Sequence, residues 1–235
     1  MNNPSLWTRL RTSLQASAGE VVFGMEDGTV SIFGLVFGVA ATTADQKAVL
    51  IAGASGAVAA AVSMMAGTYL DVETSHDQAK VMARRIDAEL QKDRVEVLDG
   101  VTQRLQAAGL PPDQATAVGG FLCAQPTVLR SVAMALAAPE DADSQQSALV
   151  RSLWMLVADF LAAAIPILPF GFLAVPQGRV VSATVTTLLL VSLGVGRARI
   201  GGRPTVRTVI ETVSIGIAAA AAGVGIGVWI SHIFT

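Results

Sequence analysis

The chain has 235 residues, of which 52% are hydrophobic and only 14% are charged. Soluble domains carry about a quarter charged residues, so this composition is typical of an integral membrane protein. A formal net charge of −2 gives no basic field that would attract nucleic acid. The single cysteine, Cys123, excludes an internal disulfide, and no cysteine and histidine spacing typical of a zinc site occurs.

Five apolar segments are long enough, or nearly long enough, to cross a bilayer as helices, which takes about 20 residues each. The segments are Val21–Ala41, Ala48–Leu70, Leu153–Val175, Val180–Val195 and Thr208–Phe234. A polar stretch of the chain separates the second segment from the third. The sequence therefore predicts an all-α integral membrane protein with five transmembrane helices and a three-helix cytoplasmic domain inserted between helices 2 and 3.

The predicted organisation has four parts: an N-terminal segment (1–18), transmembrane helices 1 and 2 (19–70), the helical domain (71–151) and transmembrane helices 3 to 5 (152–235). Within the helical domain, apolar residues at helical spacing predict a first helix over Val72–Ala107. Prolines open a second helix, from Pro112 to about Cys123, and a third, from Pro126 to about Leu136. Residues 139–146 are expected to form a loop.

Lysine and arginine predict the orientation in the membrane, because cytoplasmic loops carry an excess of both residues. All but two of the 16 basic residues fall in the N-terminal segment, the helical domain and the loop before the last span. The exceptions are Lys47 and Arg179. With five spans, this distribution places the N-terminus and the helical domain in the cytoplasm and the C-terminus outside.

Carboxylates inside a membrane span are costly, and they commonly mark ion paths or proton relays. The candidates here are Glu20, Glu26, Asp27, Asp159 and Glu211. Glu20 and Asp27 are seven residues apart and share one helix face, whereas Glu26 points about 100° away from Asp27. The two adjacent acids are therefore expected to do different jobs. Asp159 is open to a second interpretation, as a hydrogen-bonding partner of a neighbouring helix.

A thioether is expected at the depth of Asp27. Asp27 lies about seven residues from the cytoplasmic end of the first span, and Met64 lies a similar distance from the cytoplasmic end of the second. Both residues are therefore expected roughly 10 Å below the cytoplasmic surface of the membrane. Oxygen with sulfur suits a borderline divalent metal such as Fe(II) better than Mg or Ca. For Met64 and its neighbour Met65, filling a hydrophobic core is the alternative interpretation.

Glycines at intervals of four residues predict close helix packing. Gly34 and Gly38 form such a pair in the first span, and Gly223 and Gly227 form another in the last. The alternative interpretation is that glycine is simply common in membrane helices; we expect tight packing, and the motifs are compatible with an oligomer.

Motifs in the spans resemble those of the vacuolar iron transporter family. The run GEVVFGMEDGTVSIFGLVFGVA resembles that family's opening span, and VSMMAGTYLDVETSHDQ is similar to the end of its second. IPILPF resembles its third span and SIGIAAAAAGVGIG its last. The resemblance implies a homodimer that moves Fe(II), and often Mn(II), out of the cytosol in exchange for protons, with no permanent cofactor. It further implies that Asp27 and Met64 are transport-site ligands and that Glu20 lies at the cytoplasmic mouth.

The chain departs from the family pattern at several positions. Glu26 stands where the family usually has asparagine, and Thr68 stands where it has glutamate. Family members with a metal-binding insert carry several acids on its first helix and a methionine on its third. The corresponding candidates here are Glu89, Asp93, Glu96, Asp99 and Met134. The acids are spaced to lie on roughly one helix face. The alternative interpretation is a solvated face that these acids share with neighbouring arginines and Lys92.

The sequence favours a proton-coupled exporter of divalent transition metal over an enzyme, since no nucleophile set and no phosphate-binding loop occurs. Its location would be the plasma or inner membrane in a bacterium and a vacuolar-type membrane in a eukaryote. Two alternatives stay open. One is a non-transporting relative, either a membrane metal sensor or a structural partner, and the other is a transporter with a changed cargo.

Overall fold

The computed structural model describes residues 5–137 and 147–234, and the regular structure in those ranges is entirely helical. The predicted loop at 139–146 lies outside the described residues. In chain order the helices are α1 (Leu6–Ala16), α2 (Ala18–Thr42), α3 (Gln46–Lys92), α4 (Arg94–Ala107), α5 (Pro112–Ala124), α6 (Pro126–Ala137), α7 (Ala148–Ile167), α8 (Pro169–Phe172), α9 (Val175–Ile200) and α10 (Thr205–Phe234).

Five of these helices, α2, α3, α7, α9 and α10, are long and apolar enough to cross a membrane. The predicted all-helical membrane fold with five spans is thereby confirmed. The fourth span was predicted too short, because no proline interrupts the chain between Val195 and Pro204 and α9 continues to Ile200. Arg197 and Arg199 consequently belong to its last turn and not to a loop.

The third span ends earlier than predicted. Pro169 has no amide hydrogen to continue the helix, and α7 stops at Ile167. The short helix α8 then leads into α9. Ser182 of α9 donates a hydrogen bond of 2.8 Å to the carbonyl oxygen of Pro166, which keeps this buried acceptor satisfied.

The contacts divide the chain into two compact units, Met1–Tyr69 with Gln146–Thr235, and Leu70–Gln145. The predicted helix Val72–Ala107 is wrong as a single element. Its first part continues α3 without a break to Lys92, and Asp93 then interrupts the helix. The Asp93 carboxylate accepts from the amides of Val95 and Glu96 and caps α4, which is a role that aspartate fills well.

The second unit has its own apolar core. Its buried side chains come from the end of α3 and from α4, α5 and α6, and they include Ile86, Val97, Val101, Leu122 and Leu129. The second and third predicted helices of this region agree with α5 and α6. Arg130 reaches back to Asp87 with two hydrogen bonds of 2.5 and 2.9 Å, which ties α6 to α3.

In the first unit, α2 is packed between α7 and α10. A Cβ atom at Gly24 or Gly28 would meet Met155 or Asp159 of α7, and one at Gly38 would meet the backbone of Gly223 on α10. Because residue numbers increase in step along these contacts, α2, α7 and α10 run in the same direction. The predicted close packing of the glycine motifs is found within the chain.

Candidate functional site

A cavity of about 450 Å³ opens where the first half of α2 faces the end of α9 and the start of α10. Most of its wall is apolar, and four charged residues interrupt that wall. The charged residues are Glu26, Asp27, Arg197 and Arg203. The two carboxylates are the groups in this wall with which a cation could interact, and two guanidinium groups lie in the same wall.

Glu26 and Asp27 line the same cavity, although they point about 100° apart on α2. Their contacts nevertheless differ. The Glu26 carboxylate accepts hydrogen bonds from Arg197 Nη1, at 3.0 Å to Oε1 and 3.4 Å to Oε2, and from Thr212 Oγ1 at 3.2 Å. Asp27 is partly buried and has no hydrogen bond or ion pair with any residue in the described part of the chain.

Asp159 is the most completely enclosed acid among the described residues, with 0% of its surface exposed. Neither carboxylate oxygen has a hydrogen-bond partner within 5–137 or 147–234. The side chain packs against Gly28, where an added Cβ would come within 2.9 Å of Oδ1. Asp159 also interacts electrostatically with Asp27, the neighbour of Gly28 in the chain. The α2–α7 interface thus brings two candidate acids together, although Asp159 does not line the cavity.

Glu20 does not line the cavity, because it is paired with a residue of another helix. Its carboxylate forms an ion pair with Arg151 of α7, and both side chains are largely buried. The indole nitrogen of Trp154, also on α7, donates to Ser13 Oγ at 2.9 Å. These contacts hold the start of α2 and the N-terminal helix α1 against α7. Glu211 forms ion pairs with Arg203 and Arg207.

Met64 and Met65 lie on α3, are partly buried and do not line the cavity. No group of three or more histidine, cysteine, aspartate or glutamate side chains arranged to hold a metal occurs among the residues the structure describes. A metal ion at Asp27 would accordingly need donors of other kinds, such as a thioether, backbone oxygens or water, or donors from a second copy of the chain.

The candidate acids of the second unit have varied surroundings. Glu89 and Glu96 line a cavity of about 180 Å³ together with Arg85 and Arg104, and Arg85 bonds to Glu89 at 2.8 Å. Asp93 is a helix cap and Asp99 is exposed, whereas Met134 packs against the apolar core. The expectation that the four acids lie along one helix face is wrong, because the helix is interrupted at Asp93.

Ion pairing lowers the pKa of Asp87 in this unit. The Arg130 guanidinium, through its hydrogen bonds and its charge, holds the pKa of Asp87 below the usual value. The contribution of this pair to stability is therefore present above the ordinary aspartate pKa and is lost as the pH falls through the lowered value. Both side chains are largely exposed to solvent, so the contribution is small.

The site residues that the sequence did not indicate are Arg197, Thr212 and Arg151. Arg197 was expected in a loop, and only the extension of α9 to Ile200 places it beside Glu26. Thr212 directly follows Glu211 in α10 and is fully buried. The absence of proline between Val195 and Ile200 was the available signal that the helix continues.

The fold and the site together define a polytopic membrane protein with carboxylates inside its helical bundle. The chain belongs to the VIT family, whose model matches residues 18–228. The resemblance found in the motifs of the spans is thereby confirmed.

Two vacuolar iron transporters are similar to the chain over most of its length, and a vacuolar iron transporter homolog is similar to a part of it. The vacuolar iron transporter of Centaurea cyanus is 26% identical over 198 residues, which cover 84% of this chain and 81% of the relative. Vacuolar iron transporter 1 of Arabidopsis thaliana is 27% identical over 211 residues, or 87% and 84% of the two chains. Vacuolar iron transporter homolog 2 of Oryza sativa subsp. japonica is 35% identical over 104 residues, or 43% of this chain and 53% of that one. These relatives are named as transporters and not as enzymes.

Proposed function

We propose that the protein is a transporter of divalent transition metal, Fe(II) and also Mn(II), that moves the ion out of the cytosol in exchange for protons. The observation that carries the proposal is the placement of Asp27. Its carboxylate has no hydrogen-bond or ion-pair partner among the described residues, it lines a cavity between membrane-length helices, and the next residue, Gly28, packs against a second acid, Asp159. Membership of the VIT family and the names of the relatives support metal as the cargo.

Asp27 is the residue we assign to direct contact with the cargo. Glu26 is engaged by Arg197, and Glu20 by Arg151. We assign the thioether of Met64, with Met65 as its neighbour, as a softer donor that favours Fe(II) over Mg. Among the described residues, no three histidine, cysteine, aspartate or glutamate side chains lie close enough together to hold a metal ion. The remaining metal ligands would therefore be water molecules or groups of a second subunit. For this reason we propose a homodimer.

Exchange with protons follows from competition for the same carboxylates. A charge within a membrane bundle is costly unless it is paired, so the empty site favours protonated acids and the loaded site favours ionised ones. Metal binding at Asp27 would then release a proton, and protonation would release the metal. Asp159, enclosed and without a hydrogen-bond partner in the described ranges, is the acid we assign to the same competition from the α7 side.

Orientation completes the proposal. The distribution of basic residues supports an N-terminus and an inserted domain in the cytoplasm and a C-terminus outside. In that orientation Glu20 lies toward the cytoplasmic mouth. The insert would then deliver metal through weak contacts with the candidate acids Glu89, Glu96 and Asp99.

The test is transport in proteoliposomes with an imposed pH gradient, comparing uptake of Fe(II), Mn(II), Co(II) and Zn(II). We expect uptake of Fe(II) and Mn(II) that collapses when the gradient is removed. Asp27→Ala should abolish uptake without changing the oligomeric state in detergent. Asp113→Asn, which removes one negative charge from the exposed surface of α5, is the matched control and should transport like the wild type.

Unchanged uptake by Asp27→Ala would reject Asp27 as the ligand. A wild-type protein that binds metal in the cytoplasmic unit but transports none would instead favour the metal-sensor alternative. Uptake restricted to Co(II) or Zn(II) would indicate a transporter with a changed cargo.

A further inference from the structure

A three-helix contact surrounds Glu26. Arg197 reaches it from the last turn of α9, and Thr212 reaches it from α10. The Glu26 side chain is 12% exposed, whereas that of Arg197 is 39% exposed. The acid is therefore fixed from two sides, while the guanidinium extends to the surface of the cavity that Asp27 also lines.

We infer that Arg197 is a built-in counter-cation that sets the affinity of the Asp27 site for divalent metal and that prevents Glu26 from acting as a ligand. The inference rests on the proposed function and adds a specificity-determining residue to it. Arg197 does not touch the cargo in this proposal. It acts through its charge and through its hold on Glu26.

The charges of the cavity lead to this assignment. In the ionised, metal-binding state Glu26 and Asp27 are both negative and adjacent, and Arg197 offsets one of them, so these three side chains carry a net charge of −1. Arg203 also lines the cavity and shares the Glu211 carboxylate with Arg207, at 3.0 and 3.1 Å, and this group is the same in every variant compared below. Without Arg197, two neighbouring carboxylates would face a divalent cation.

Coulomb's law gives the size of the effect. At an effective dielectric constant of about 20, one unit charge within the dimensions of such a cavity changes the affinity for a divalent cation by about tenfold or more. Screening by water and salt reduces this value, because the cavity is partly open. A change in metal affinity on the order of tenfold per unit charge is therefore the expected scale.

Substitutions of Glu26 and Arg197 should change the dissociation constant for Mn(II) in opposite directions, which distinguishes an electrostatic role of Arg197 from a structural one. Arg197→Gln leaves two free carboxylates, and the dissociation constant for Mn(II) should fall about tenfold. Glu26→Gln leaves an unpaired guanidinium beside Asp27, and the same constant should rise about tenfold. The double variant Glu26→Gln, Arg197→Gln restores the net charge of −1 and should bind within about threefold of the wild type.

The measurement is calorimetric titration of Mn(II) into the purified full-length protein, together with the KM for Mn(II) uptake into proteoliposomes. Arg197→Lys keeps the charge and should remain close to the wild type in affinity. Arg199→Gln is the matched control, because it removes an exposed positive charge from the same last turn of α9 without lining the cavity. Its affinity for Mn(II) should not change.

A purely structural ion pair would give a different pattern. Both single variants would then weaken Mn(II) binding and lower the thermal midpoint together, and the double variant would not recover; this result would overturn the inference while leaving the proposed function intact. Wild-type protein whose Mn(II) binding is absent, or is unaffected by Asp27→Asn, would reject the proposed function and this inference with it. Opposite shifts in the two single variants support the counter-cation.

Discussion

At the scale of single residues, the acids of the site differ in their ion-pair and hydrogen-bond partners. Glu20 and Glu26 each have an arginine partner from another helix. Asp27 faces a cavity, and Asp159 is sealed in the α2–α7 interface with no partner among the described residues. Stability alone does not favour an isolated buried carboxylate, since transferring such a group out of water is costly. A functional reason for Asp159 is therefore expected.

Substitution of Asp159 separates stability from transport. Asp159→Asn removes the charge at nearly constant volume, so the thermal midpoint in detergent should be unchanged or raised. Metal uptake should fall roughly ten- to a hundredfold, which is the usual cost of removing a group that supports a ligand. Midpoint and initial uptake rate are measured on the same preparation. A lowered midpoint with normal uptake would contradict the assignment and indicate a structural role.

At the scale of elements, the glycines of α2 determine how closely its neighbours approach. An added Cβ at Gly223 of α10 would lie 2.7 Å from the carbonyl carbon of Gly34, and backbone atoms cannot move aside as a flexible side chain can. At Gly225, two residues further on, nothing lies within 4 Å. The same helix thus offers a sensitive and an insensitive position.

Gly223→Ala should destabilise the protein by about 1–3 kcal/mol, the typical cost of overpacking. Gly225→Ala should be neutral or slightly stabilising, because alanine is the better helix former. Unfolding in detergent, followed by tryptophan fluorescence, compares the two variants. If Gly223→Ala left the midpoint unchanged and dissociated an oligomer, the glycine pair would have to act between subunits instead.

At the scale of the whole molecule, the orientation of the chain in the membrane determines the direction in which metal would be transported. The helices α2, α7 and α10 run in parallel, so an odd number of spans separates the start of α2 from the end of α10. The chain also carries a natural reporter, because its single cysteine, Cys123, lies exposed on α5 in the second unit.

A membrane-impermeant maleimide should label Cys123 only from the cytoplasmic side, that is in inverted vesicles and not in intact cells. The reason is the excess of lysine and arginine in the segments assigned to the cytoplasm. His232→Cys in a Cys123→Ser background, at the exposed end of α10, should show the opposite pattern. Labelling of Cys123 in intact cells would reverse the proposed direction of transport.

The sequence by itself determined the class of fold and the family. Spans are recognisable because a bilayer demands long apolar helices, and Asp27 was evident because an acid in such a helix is costly. The inserted region was less predictable. Whether the helix predicted over Val72–Ala107 runs on or stops at Lys92 depends on the Asp93 side chain, which in the folded protein caps α4.

The tertiary structure decided which acids are paired. The ion pairs of Glu26 with Arg197 and of Glu20 with Arg151 join residues more than a hundred positions apart, and helical periodicity contains no information about such contacts. The enclosure of Asp159 against Gly28 likewise depends on how α2 and α7 pack. Local composition determines which segments enter a membrane, whereas the charge state of a site depends on the neighbours that packing supplies.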